Sequence, residues 1–172
     1  LDLTPRGQVD DLLQRIEGAA ATGLGGLRLA GGGDVGRLPG FAEGDWWVQD
    51  LAAALAVPLL GDVAGQHAID LCAAPGGKTL QLAAAGARVS AVDRSRARLG
   101  RLRENLERTG LDAEVVEGDA EYWRPETPAD VLLLDAPCSA TGTIRRHPDL
   151  PRLKGAEDVT RLAALQARLL SA

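Results

Sequence analysis

Two short stretches hold the residue types that do chemistry. Residues 70–79 read Asp-Leu-Cys-Ala-Ala-Pro-Gly-Gly-Lys-Thr, and residues 135–142 read Asp-Ala-Pro-Cys-Ser-Ala-Thr-Gly. In the first, an apolar run gives way to a glycine-rich turn, so a buried strand hands the chain to a helix. Gly76 and Gly77 let backbone come close to a ligand, and the helix after them offers N–H groups with no helical acceptor. In the second, a strand end presents a carboxylate, a rigid proline and a thiol within four residues. Together they describe a cofactor pocket with a cysteine at its mouth.

The hydrophobic pattern sets the elements on which these residues sit. Strands are expected over 68–73, 88–93, 114–118 and 130–135. Helices are expected over 78–85, closed by Gly86, from a Ser95 cap to 109, closed by Gly110, and over 157–170. Leu99, Leu102 and Leu106 form the apolar face of the second helix. The solid apolar centre of the last strand predicts burial on both faces. Strand–helix alternation of this kind means an α/β fold with a parallel sheet. This domain is expected to run from 44 to 172, opening with a short strand at 46–48 and a helix over 50–57 stopped by Pro58. Ahead of it, residues 1–43 read as a small α+β subdomain. It has a strand near 1–3 and a helix over 7–19, from the spacing of Val9, Leu12, Leu13 and Ile16. Glycine-rich loops then span 23–36 around a weak strand at 27–29. Four strands make part of a doubly wound sheet, so the chain is expected to continue past Ala172.

In open parallel sheets, ligands bind beyond the carboxyl ends of the strands. Here successive strand ends offer the 72–78 turn, Asp93, Asp119 and Asp135. Any one of these alone reads as a turn or a helix cap; their coincidence along one edge suits a nucleoside cofactor with an amine and little phosphate. A phosphate-binding P-loop competes, because Gly76-Gly77-Lys78-Thr79 matches the tail of its pattern and residues 131–135 resemble a magnesium-binding strand. Against it, Cys72 stands where the first glycine belongs and Pro75 lacks an N–H. Cys138 reads either as a structural cysteine or as a thiol for addition to C6 of a cytosine. Such addition makes C5 enamine-like and able to take a methyl group.

Composition limits the partners. The net charge is −5, with 45% hydrophobic and 3% aromatic residues, so the chain has no strongly basic character for nucleic acid. Arg145, Arg146 and His147 could grip phosphates locally. The arginines at 94, 96, 98, 101 and 103 read mainly as a solvated helix face, with Arg98 able to turn back on Asp93. His67 reads as structural. Two cysteines in chemical motifs argue against a disulfide and for a reducing, cytoplasmic setting. No run reaches membrane-spanning length, and no metal-ligand set is read.

The motifs resemble those of bacterial ribosomal RNA 5-methylcytosine methyltransferases of the Sun/Fmu group, in the NOL1/NOP2/Sun family. Residues 70–79 are similar to that family's cofactor motif. Residues 134–149, Leu-Asp-Ala-Pro-Cys-Ser-Ala-Thr-Gly-Thr-Ile-Arg-Arg-His-Pro-Asp, are similar to its Pro-Cys motif. Residues 38–50 resemble its lead-in, so the similarity spans about residues 38–170. The resemblance implies a Rossmann-like, class I S-adenosylmethionine-dependent methyltransferase domain. Residues 1–43 would be an RNA-recognition-like subdomain and the substrate small-subunit ribosomal RNA. Apart from the resemblance, no membrane partner and a monomeric state are expected. By motif position, Cys72, Ala73, Ala74, Pro75, Gly76, Gly77 and Lys78 would wrap the methionine and ribose side of S-adenosylmethionine. Asp93 would hold the ribose hydroxyls with Arg98 close by, Asp119 would lie near the adenine, and Asp135 beside methyl donor and target base. In this family the attacking cysteine belongs to a later Thr-Cys-Ser motif, and the Pro-Cys cysteine, here Cys138, assists product release. The sequence contains no Thr-Cys-Ser, so residues 1–172 alone are expected to bind cofactor without turnover. A cofactor-binding scaffold without catalysis remains a further alternative.

Overall fold

The computed structural model describes residues 1–23, 25–31 and 33–172; Leu24 and Gly32, within the stretch read as loop, lie outside the described residues. Two four-stranded sheets carry the architecture. The first is antiparallel, ordered β2-β3-β1-β4 from β1 (Asp2–Pro5), β2 (Ala19–Ala21), β3 (Leu27–Leu29) and β4 (Trp46–Val48). The helix expected over 7–19 is shorter, α1 (Val9–Arg15), because Ile16 takes extended backbone and Gly18 turns at φ 75°. The freed residues form β2, a strand with no hydrophobic signal in its three alanines. Leu3, Leu12, Ile16, Leu27 and Trp46 bury one another beneath this sheet. The strand at Trp46–Val48 forms as expected, but it pairs with β1, Pro5 opposite Trp46 and Leu3 opposite Val48. It therefore lies with the N-terminal sheet rather than opening the parallel one.

Asp2 ties this sheet to α2 (Leu51–Ala54), the helical turn after β4. Its carboxylate accepts from Arg28 on β3 at 2.7 and 3.0 Å and from the N–H of Leu51, the first residue of α2, at 3.1 Å. The helix expected over 50–57 is thus only one turn, and Pro58 begins a separate 3₁₀ turn.

The second sheet is parallel throughout, ordered β7-β6-β5-β8 from β5 (His67–Leu71), β6 (Arg88–Asp93), β7 (Glu114–Glu117) and β8 (Val131–Leu134). Helices α3 (Gly77–Ala84), α4 (Arg96–Thr109) and α6 (Ala156–Ser171) surround it, with α5 (Leu150–Leu153) a single turn in the loop before α6. Side chains alternate along β5. Ala68 packs with Leu82 of α3, Val89 and Leu133, whereas Ile69 and Leu71 pack with Val92 and Leu169 of α6. The sheet is therefore wound on both faces, as the α/β reading requires. Leu99, Leu102 and Leu106 are buried as the helical spacing predicts, Ser95 caps α4 and Gly110 closes it in left-handed conformation.

One expectation fails. β8 is not buried on both faces: Leu133 is buried, but Leu132 is 56% exposed. β8 is one of the two edge strands of this sheet among the described residues, flanked by β5 alone; on the face of Leu132, Leu134 packs against the cluster of Ile69, Leu71 and Leu169 while Leu132 stays open. The strand order also sets the site. The first and fourth parallel strands are neighbours, and the winding direction reverses between β5 and β8. A crevice opens at that switch point, beyond the carboxyl ends. No helix among the described residues is long and apolar enough to cross a membrane.

Candidate functional site

The chain leaves β5 through Cys72 at φ 63° and turns through Gly76 at φ 110° into α3. The turn spends its donors on the protein itself. The Ala73 N–H donates to Val92 O at 3.1 Å, Ala74 N–H to Asp93 Oδ2 at 3.2 Å and Gly76 N–H to Ala73 O at 2.9 Å; Pro75 has none. Lys78 Nζ donates to Asp135 Oδ2 at 2.7 Å and Thr79 Oγ1 to Asp70 Oδ2 at 2.6 Å. A P-loop needs its N–H groups, lysine and hydroxyl aimed at phosphate and magnesium. Here the lysine, the hydroxyl and the N–H groups of Ala73, Ala74 and Gly76 are committed elsewhere, and the Asp93 carboxylate accepts from the turn itself. These bonds count against the P-loop alternative.

The strand-end acids differ in setting. Asp93 is buried; its Oδ1 accepts from the Ser95 N–H at 2.8 Å, and Arg98 Nη1 stands 3.4 Å from its Oδ2. Arg98 also donates to Ala74 O, so it does turn back on the turn and the acid. Asp119 is exposed and accepts from the Glu121 N–H at 3.0 Å. Asp135, across the switch point, is exposed but held by Lys78. Cys72 is half-buried; that burial, and then the negative charge of Asp93, push its thiol up. A thiol pushed up is less available as a thiolate.

Two cavities meet at Cys72. One, of about 430 Å³, is lined by Val92, Asp93, Arg98, Asp119, Pro137, Leu165 and Leu169 among others. The other, of about 260 Å³, is lined by Asp70, Ala73, Ala74, Pro75, Gly77, Lys78 and Asp135, together with Val48, Gln49, Asp50, Ala53 and Arg146. The structure thus gathers Cys72, Ala73, Ala74, Pro75, Gly77, Lys78, Asp93, Arg98, Asp119 and Asp135 around one crevice. Gly76 shapes the turn from beneath, against Leu102. Cys138 lies apart from both linings, exposed on the loop after β8, its Sγ accepting weakly from the Ala140 N–H at 3.4 Å. The first cavity combines two carboxylates with apolar walls, the surroundings a nucleoside needs. The second combines carboxylates with an ammonium, suited to a polar tail or base. No group of three His, Cys, Asp or Glu that could hold a metal ion occurs among the described residues.

Three cavity residues escaped sequence reasoning. Asp70 is only 1% exposed, and burial pushes its carboxyl up to about 7 while the Thr79 hydroxyl draws it down. An acid inside an apolar strand was the available signal. Asp50 was read as part of the family lead-in and of a helix, without a site role. Gln49 was read only within the family lead-in; it is set by Trp47 Nε1 donating to its Oε1 at 2.9 Å and by its Nε2 donating to Gln81 on α3 at 2.7 Å.

Residues 57–172 match the family model described as 16S rRNA methyltransferase RsmB/F. The ribosomal RNA small subunit methyltransferase B of Pseudomonas syringae pv. tomato is 49% identical over 164 residues, covering 91% of this chain and 37% of that protein. Its counterpart in Vibrio cholerae is 51% identical over 144 residues, covering 81% and 33%. Among solved structures, a methyltransferase homolog protein from Pyrococcus horikoshii matches with a TM-score of 0.80 at 27% identity, covering 99% of this chain and 58% of that one. NSun6 from Pyrococcus horikoshii, solved with SFG, matches at 0.72 and 29% identity, covering 84% and 37%. The chain spans about a third of the length of these curated relatives.

Proposed function

The chain belongs to the 16S rRNA methyltransferase RsmB/F family, and from that premise we propose that it carries the cofactor-binding part of an enzyme that methylates C5 of a cytosine in small-subunit ribosomal RNA, with S-adenosylmethionine as donor. One arrangement carries this reading. The 72–78 turn and three strand-end acids converge on a single crevice whose lysine and Ala74 N–H are engaged by its own carboxylates, which favours a nucleoside without phosphate.

When bound, S-adenosylmethionine supplies an electrophilic methyl group on a sulfonium centre. Asp93, oriented by two backbone N–H groups and Arg98, accepts hydrogen bonds from the ribose hydroxyls, and Asp119 lies toward the adenine. The turn from Cys72 to Lys78 follows the methionine and ribose side. Asp135, held by Lys78, faces the target base. A thiolate adding to C6 of that base makes C5 enamine-like; C5 takes the methyl group and loses its proton, and the thiol is then eliminated. The family pattern gives the attack to a Thr-Cys-Ser cysteine that this sequence does not contain and product release to Cys138. The exposure of Cys138, outside both cavities, supports a group that meets substrate rather than cofactor. On this reading residues 1–172 bind the donor without completing the transfer.

Calorimetric titration of this chain with S-adenosylmethionine, beside ATP with magnesium, tests the reading. Binding of S-adenosylmethionine alone is expected. Asp93→Asn should weaken it by roughly tenfold or more, the loss of a charge-assisted hydrogen bond. Preference for ATP would sink the proposal. Labelled donor incubated with the same chain and small-subunit ribosomal RNA should leave the RNA unlabelled; incorporation would show that the chain turns over unaided.

A further inference from the structure

Asp70 is the buried acid of the smaller cavity, and the proposed reaction leaves it without a task. It faces α3 from β5, where its Oδ2 accepts from Thr79 Oγ1 at 2.6 Å. Its Oδ1 is buried with no hydrogen-bond partner among the described residues, although the side chain lines the smaller cavity. A buried acceptor left open needs a physical account. The preceding residue on α3, Lys78, reaches across the switch point to Asp135 at 2.7 Å and is itself 14% exposed. Lys78 attracts negative charge on Asp70, whereas Asp135 and Asp93 repel it. The remaining charges of the cavity are Arg146 and Asp50, which face each other at 3.7 Å, while Arg98 is engaged with Asp93 at 3.4 Å. Lys78 is within ion-pair distance of Asp135 and not of Asp70, so the two act on each other through their fields across the shared cavity. With Asp70 neutral, the Lys78–Asp135 pair stands undisturbed. With Asp70 ionised, its charge pulls on the ammonium and repels Asp135 across the cavity. Such coupling is reciprocal: whatever Lys78 does to Asp70, Asp70 does to Lys78 and its partner.

We propose that Asp70 is a positioning residue of this site, whose charge state sets how firmly Lys78 holds Asp135 at the crevice. Its consequence for methyl transfer rests on the reading of Asp135 as the residue beside the target base; the coupling itself does not. Burial brings the exchange into reach of neutral pH, since it pushes the Asp70 carboxyl up to about 7. Below that pH the Lys78–Asp135 pair feels no charge from Asp70; above it that charge loosens the pair.

The sequence supplies its own probe, because Lys78 and Lys154 are its only lysines. In the ligand-free chain carrying ¹⁵N at the lysine ζ position, two signals are expected, with exposed Lys154 as the internal reference. The Lys78 signal should shift in one step centred near neutral pH while Lys154 stays flat. Asp70→Asn should abolish the step. Thr79→Val removes a hydrogen bond to the charged form, so it should move the step to higher pH, and it decides the matter if Asp70→Asn does not fold. A flat Lys78 signal in the folded wild-type chain, or a step unchanged by the variants, would overturn the proposal. No donor or RNA is present, so a chain that fails to bind S-adenosylmethionine yet shows the step keeps this inference and loses the functional one.

Discussion

Gly76 is held by two independent demands. Its φ of 110° is open to glycine and strained for other residues, and a Cβ there would overlap Leu102 Cδ1. Leu102 is itself fully buried against Leu80, Leu99 and Leu106, so it has little room to move. Gly76→Ala should therefore combine backbone strain with overpacking, lowering the unfolding free energy by about 2–4 kcal/mol. Urea melts measure this. Adding Leu102→Ala relieves the steric overlap but not the backbone, so the double variant should fall short of additive loss. An unchanged midpoint in Gly76→Ala would mean that the turn relaxes freely. At this scale most of the site was legible: the 72–78 turn, Asp93, Asp119 and Asp135 reach the crevice from their motif positions. Asp70 was missed because its neighbours, Thr79 and Lys78, come to it only when α3 packs on β5.

At the scale of elements, the N-terminal sheet depends on Asp2. Chiefly the Arg28 guanidinium, helped by the Leu51 N–H, holds its carboxyl down to about 2, against burial, which acts in the opposite sense. A depressed carboxyl stabilises the fold at pH above its unfolded value near 4, and that contribution disappears as pH falls through the folded value. Asp2→Asn should therefore melt at lower temperature than wild type at pH 7. The gap should close between about pH 4 and pH 2, where the wild-type carboxyl is protonated too. A gap that persists unchanged at pH 2 would show that shape rather than charge was lost. Three strands and one helix turn meet at this residue, yet none of its partners is near it in sequence. The same gap between local pattern and pairing placed Trp46–Val48 with β1 and left β2 unseen, since three alanines carry no hydrophobic period.

At the scale of the molecule, α4 joins the two sheets and the cofactor turn. Arg98 and Asn105 donate to Ala74 O and Pro75 O, while Arg108 donates to Phe41 O at 2.7 Å and Trp46 O at 3.0 Å and lies 4.1 Å from the Phe41 ring centroid. From the other side, Arg6 Nη1 donates to Thr109 O at 2.6 Å. Gly44 makes this approach possible: at its φ of 73°, a Cβ would overlap Arg108 O and sit 2.6 Å from Thr109 Cα. Both obstacles are backbone, so Gly44→Ala must lift the 41–46 loop from the end of α4. Hydrogen exchange should then quicken by about tenfold or more along β4 as well as at the loop. Acceleration confined to residues 43–45 would show that the joint between the sheets does not depend on this contact.

Local signals were enough for the parallel α/β domain, the order of its strands along the chain and the acids at their ends. Apolar runs, helix caps at Ser95 and Gly110, and glycines at the turn are all written within a few residues of the feature they specify. Which strands become neighbours is a property of the folded molecule, and that choice made the site. Placing β8 beside β5 brings Asp135 within 2.7 Å of Lys78, 57 residues away, and turns two separate motifs into one crevice. It also leaves Leu132 exposed at an edge that the apolar run 131–134 marked for burial. Hydrophobic period reports which side chains avoid water. It is silent on how many neighbours a strand finds, because pairing is settled by long-range packing against α3 and α6.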